Sequence, residues 1–127
     1  MIILDTNSIL RLVTSDLPEE ARMVEKLIQE EENLFIPEVV FPEIEYNLAR
    51  GYSYSREQII DVFSFLTSRI NIGFPDEVAE ALKFFKESKL DMADCIVAAH
   101  AKSGKLASFD RGLLKVSGMK SCFNLDS

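Results

Sequence analysis

Cysteine and histidine are scarce in this chain of 127 residues: Cys95 and Cys122 stand far apart with no CxxC spacing, and His100 is the one histidine. Two thiols so placed cannot build a zinc site alone and give no basis for a disulfide framework, so they read as reduced, mostly buried thiols. Long apolar runs are also missing; none approaches the roughly 18 residues that a membrane helix needs. The start of the chain, Met1-Ile2-Ile3-Leu4-Asp5, has no basic lead and turns acidic after its apolar residues, unlike a signal peptide. There are no repeats, no low-complexity stretch and no linker. What is present, 47% hydrophobic and 28% charged residues, suits one folded cytoplasmic domain over 1–127 rather than a disordered tail.

The net charge of −7, from 14 basic against 21 acidic residues, argues against a simple phosphate-binding surface. The charge is unevenly spread, however. Residues 95–125 hold Lys102, Lys105, Arg111, Lys115 and Lys120 against Asp110 alone, while residues 1–94 carry nine bases and nineteen acids. The last thirty residues therefore offer either a docking patch for a polyanion or a set of solvated surface lysines.

Hydrophobic spacing predicts short strands alternating with helices. Met1 to Leu4 reads as a strand that stops at Asp5-Thr6-Asn7, and Leu34-Phe35-Ile36 as a second strand before Pro37. Ile70-Asn71-Ile72, residues 105–109 and residues 121–125 complete the set. Between them, Ser15 to Pro18 is helix-start chemistry ahead of Ala21, Val24, Leu27 and Ile28 at helical spacing. Residues 38–50 read as a helix with Pro42 in its first turn, and Ser55-Arg56-Glu57-Gln58 as a capping box before Ile59, Phe63 and Leu66. Pro75 to Ser88 carries Val78, Ala81, Leu82 and Phe85 on one face, and residues 91–103 form a last helix ended by Gly104. The alternation indicates an α/β domain with a mostly parallel sheet of four to five strands covered on both faces.

In such a sheet, ligands bind beyond the carboxyl ends of the strands. Asp5 and Asp110 fall directly after strands, although an Asp there also commonly caps the following helix. The helix at 91–103 is apolar or small on most sides apart from Asp91, Asp94 and His100, which places Asp94 off any broad solvated face. Asp91 reads more simply as a cap or first-turn acid, and His100 as a core histidine rather than a catalytic base. If Asp5, Asp94, Asp110 and one more carboxylate converge, each close pair repels by roughly 4 kcal/mol at an effective dielectric of 20. Several such pairs rival the ~5–15 kcal/mol that holds a domain together. A divalent cation offsets that repulsion, and an all-oxygen site suits Mg²⁺ or Mn²⁺.

Met1 to Asn7, Glu43 five residues ahead of Leu48, Asp91-Met92-Ala93-Asp94 and Ser108-Phe109-Asp110-Arg111 together resemble a PIN domain. Within that family they are most similar to the VapC-type ribonuclease toxins of prokaryotic toxin–antitoxin pairs. The resemblance runs in order along nearly the whole chain, and its strength lies in the ordered set rather than in any one motif. It implies a three-layer α/β/α fold and Mg²⁺- or Mn²⁺-dependent endoribonuclease activity leaving a 5′-phosphate. It also implies homodimers or higher homo-oligomers and a cognate antitoxin, with no membrane partner. Carried over by position, the acidic quartet that holds metal and carries catalysis becomes Asp5, Glu43, Asp94 and Asp110. Glu38 and Glu45 lie close enough to compete with Glu43, and the glutamate-to-leucine spacing selects Glu43. Asn7 resembles the polar residue that supports the first aspartate, and Ser108 stands where Thr is commoner. Arg111 and the nearby lysines, Lys115 among them, would position the RNA backbone.

Four other readings compete. A receiver domain needs a phospho-accepting Asp after the third strand and a later Lys; here Gly73-Phe74-Pro75 and Asp110 stand in those places. A metal-dependent phosphatase wants a second Asp where Asn7 is. A non-catalytic PIN-fold interaction domain has no reason to keep four repelling acids. A PIN-fold RNA-processing nuclease without an antitoxin would carry the same residues.

Overall fold

The computed structural model describes residues 1–123, and the chain divides into two compact units, Met1–Pro75 and Asp76–Ser127. The first unit holds β1 (Ile2–Ile3), α1 (Thr6–Thr14), α2 (Pro18–Glu30), β2 (Leu34–Phe35), α3 (Val40–Gly51), α4 (Arg56–Ser68) and β3 (Ile72–Gly73). The strands form one parallel sheet in the order β1-β2-β3, with Ile2 opposite Leu34 and Leu34 opposite Ile72. Each crossover contains two helices, as a parallel pair requires a long connection. α1 packs on α2 and α3, and α3 packs on α4. Leu4, Ile9, Ile36, Phe41, Ile44, Leu48 and Phe63 are fully buried. Phe41 sits at the centre of an aromatic cluster, with ring centroids 5.6 Å from Phe63 and 6.4 Å from Phe74. The capping box of α4 forms as its sequence demands: Gln58 N donates to Ser55 Oγ, and Ser55 N donates to the Gln58 side chain.

The second unit holds α5 (Asp76–Glu87), α6 (Met92–Ala101) and α7 (Arg111–Ser117). α5 packs on α6 through Val78, Ala81, Phe85, Met92, Cys95 and Ala98, all fully buried, and α7 packs on α6. Gly118, at φ 71°, closes α7 in the left-handed region, where a glycine meets no steric penalty.

The α/β class with a parallel sheet holds, but the sheet has three strands among the described residues rather than four to five. The segments expected as the last two strands make a single parallel bridge, Leu106 to Ser121; Asn124 and Leu125 lie outside the described residues. Serine hydroxyls are the cause. Ser121 Oγ donates to the Ser108 carbonyl (2.7 Å), and Asp110 N donates to Ser108 Oγ (3.0 Å), so side chains take groups that a ladder would use. Two helices, α1 and α7, arise where sequence patterning assigned none, and each begins at an aspartate considered for chemistry. Neither cysteine is in a disulfide, and the expected burial holds for Cys95 and fails for Cys122, which is exposed. Among the described residues, no helix is long and apolar enough to cross a membrane.

Candidate active site

Four acids were singled out by sequence, two in each unit. In the first unit, Asp5 follows β1 at the carboxyl end of the sheet and is the N-cap of α1. Its Oδ1 accepts from Ser8 N at 2.8 Å. Hydrogen bonds from the Ser8 backbone and side chain hold the Asp5 carboxyl below its ordinary value, against a smaller opposing effect of burial. Glu43 lies in the first turn of α3 and is exposed. The Thr6 hydroxyl, on the residue next to Asp5, donates to Glu43 Oε1 at 3.2 Å. Packing of α1 on α3 therefore ties Glu43 to the residue that follows Asp5. Asn7 is exposed in α1, beside Asp5 in a cavity of about 270 Å³ that Arg11, Glu20 and Met23 also line. The hydrogen bonds on Asp5 come from Ser8, not Asn7.

In the second unit, α6 carries Asp94 in its first turn, and Asp91 caps that helix with Oδ1 accepting from Asp94 N at 2.8 Å. Asp110 caps α7 in the same manner, accepting from Leu113 N at 3.0 Å. Partial burial pushes the Asp94 carboxyl above the usual carboxylate range, and the charges of Asp91 and Asp110 push the same way. Three like charges thus crowd the start of α6. The Ser108 hydroxyl accepts from Asp110 N, so it positions that acid's backbone. Arg111 and Lys115 are exposed on α7.

The donor chemistry fits a hard divalent cation. Both groups of residues offer oxygens only, from carboxylates and hydroxyls, and the helix caps orient the carboxylates of Asp5, Asp91 and Asp110 through Oδ1. The unoffset charge around Asp94 is the kind that such a cation lowers in energy.

Four residues depart from the reading of the sequence or add to it. His100 is not a core histidine: it is half-exposed on α6, its Nδ1 3.8 Å from Glu77 Oε1 on α5. Thr6 and Ser8, which tie Glu43 and Asp5, went unnoticed; the Asp5-x-x-Ser8 cap spacing is the signal that could have found Ser8. Lys102 is drawn out of the basic patch, for it pairs with Glu80 and lies over the Phe84 ring.

A family model described as PIN domain matches residues 2–119. A curated protein named VapC ribonuclease, from Aquifex aeolicus, is 28% identical over 124 residues, which span 91% of this chain and 92% of its own. No solved structure matches the chain.

Proposed function

Since the chain belongs to the PIN domain family, we propose that it is a Mg²⁺- or Mn²⁺-dependent endoribonuclease, the toxin of a toxin–antitoxin pair. The observation that carries this reading is the ordered acid set inside the matched span, each acid at the start of a helix. It is supported by similarity along 91% of the chain to a protein named VapC ribonuclease. One family model spans both compact units, which supports a single PIN domain. The chain would act in the cytoplasm on RNA, as a homodimer or higher homo-oligomer, held inactive by a cognate antitoxin.

Asp5, Glu43, Asp94 and Asp110 would hold the cation and carry catalysis. Bound Mg²⁺ or Mn²⁺ supplies Lewis acidity toward the scissile phosphate and acidifies water for the attack. The chain's own residues do the positioning. Ser8 fixes the Asp5 carboxylate, the Thr6 hydroxyl steadies Glu43, and the Leu113 N–H orients Asp110. Asn7 and Ser108 would contribute polar contacts near the substrate, while Arg111 and Lys115 offset repulsion between an acidic protein and the RNA backbone. The test is cleavage of single-stranded RNA with Mn²⁺, with EDTA and Asp94→Asn as controls. Loss of cleavage in both is expected; cleavage that survives both ends the metal-nuclease reading. Expression alone should slow growth and co-expression of a neighbouring small protein should restore it, whereas growth arrest persisting in Asp5→Asn would detach toxicity from this site. Cleavage without any such neighbour would favour an RNA-processing nuclease.

A further inference from the structure

Phe109 and Phe123 are unusually placed for apolar side chains. Phe109 is 73% exposed and Phe123 42%, yet their rings lie parallel within 3°, with centroids 4.5 Å apart. Hydrogen bonds on either side hold the two segments together. Ser121 Oγ donates to the Ser108 carbonyl and accepts from Phe123 N (3.1 Å), and Cys122 N donates to the Leu106 carbonyl (2.8 Å). The pair is thus set in place before any ligand arrives. It adjoins the basic stretch of this acidic chain, where Lys105, Arg111, Lys115 and Lys120 are all exposed.

We propose that the Phe109–Phe123 stack is a platform for one unpaired base of the RNA substrate. The inference rests on the ribonuclease reading and deepens it: the substrate is a single strand or loop whose base can leave its neighbours. Exposed aromatic rings among cations are what such RNA takes, because every base has a face to stack and a phosphate beside it. A base in a duplex has no face to give. Phe109 is one residue from Asp110, about 3.8 Å between Cα atoms, so a base seated on it would flank the phosphate being cut. Arg111 and Lys115 would hold the backbone on either side of that base.

The test is binding in EDTA, where no cleavage competes, of a fluorescein-labelled single-stranded oligoribonucleotide read by anisotropy. Phe109→Ala should weaken binding at least about fivefold, the low end of what one stacked base contributes, and Phe109→Trp should retain it. An abasic site moved along the oligonucleotide should reproduce the loss at one position, and at that position Phe109→Ala should no longer differ from the parent. A duplex of the same sequence should not register the substitution. Unchanged affinity in Phe109→Ala would overturn the proposal, as would an equal loss for intact and abasic strands at every position. A change in oligomeric state by light scattering with RNA binding intact would assign the rings to a second copy of the chain instead. A parent chain that senses the abasic site in EDTA yet cuts nothing in Mn²⁺ would refute the nuclease reading and leave the platform standing.

Discussion

Asp5 caps α1 and is proposed to hold a cation, and replacing it with Asn or with Ala pulls these two roles apart. Its Oδ1 accepts from Ser8 N at 2.8 Å as the N-cap of α1, and its charge is one of four proposed to hold a cation. Asn keeps the cap oxygen; Ala removes it. Loss of an N-cap costs about 0.5–2 kcal/mol, and a carboxylate at a helix N-terminus contributes about 0.3–1 kcal/mol more through the dipole. Metal-free Asp5→Ala should therefore lose about 1–2 kcal/mol at neutral pH, and Asp5→Asn no more than about 1 kcal/mol. Both remain folded if the chain has the ~5–15 kcal/mol usual for a domain. Cleavage should behave differently, falling on the order of a thousandfold or more in both, since either change removes the charge. Urea denaturation in EDTA gives the first comparison and Mn²⁺-dependent RNA cleavage the second. The pH dependence has a definite sign. Because the folded Asp5 carboxyl lies below its ordinary value of 3.8, its stabilisation is complete above that value and is lost as pH falls through the lower folded value. The stability gap between parent and Asp5→Ala should narrow in acid. Equal destabilisation by Asn and Ala would refute the capping argument; parental cleavage by Asp5→Asn would remove Asp5 from the site.

At Asp94 the sign is reversed. Its folded carboxyl is raised by burial and by Asp91 and Asp110, so the ionised form is a net cost above that folded value, and the cost disappears as pH falls below 3.8. Metal-free Asp94→Asn should be as stable as the parent or more so near pH 7 while inactive, and a clear loss of stability in thermal melts would mark Asp94 as a structural hydrogen-bonding residue. Lys115→Ala should weaken RNA binding across sequences and reduce the salt slope by about one; titrations at several salt concentrations would contradict this if the slope held. Away from the site, Asp16 accepts from the Tyr52 hydroxyl at 2.7 Å and from Thr14 at 3.0 Å, and these bonds lower its carboxyl. Its contribution should be present above 3.8 and lost in acid, so Asp16→Asn should flatten the acid limb of stability against pH; an unaltered limb would show that the bonds contribute nothing.

Periodicity alone determined the helices whose apolar faces are strong. The stripe of Val78, Ala81, Leu82 and Phe85 is buried as spaced, and Ser55 with Gln58 caps α4 as written. Local chemistry suffices there, because a cap and a 3.6-residue period act within a few turns of chain. The ordered acids were legible for a related reason, since residue identity and order are sequence properties. What tertiary structure decided were events between distant segments. Whether residues 105–109 and 121–125 form a ladder depended on where the Ser108 and Ser121 hydroxyls bond, and His100 reached solvent and Glu77 only because α5 packs where it does. The tie from Thr6 to Glu43 spans 37 residues, and the stack of Phe109 on Phe123 depends on a bridge between two loops. A side chain's partner across such a distance is set by which faces pack together, and only the folded chain supplies that.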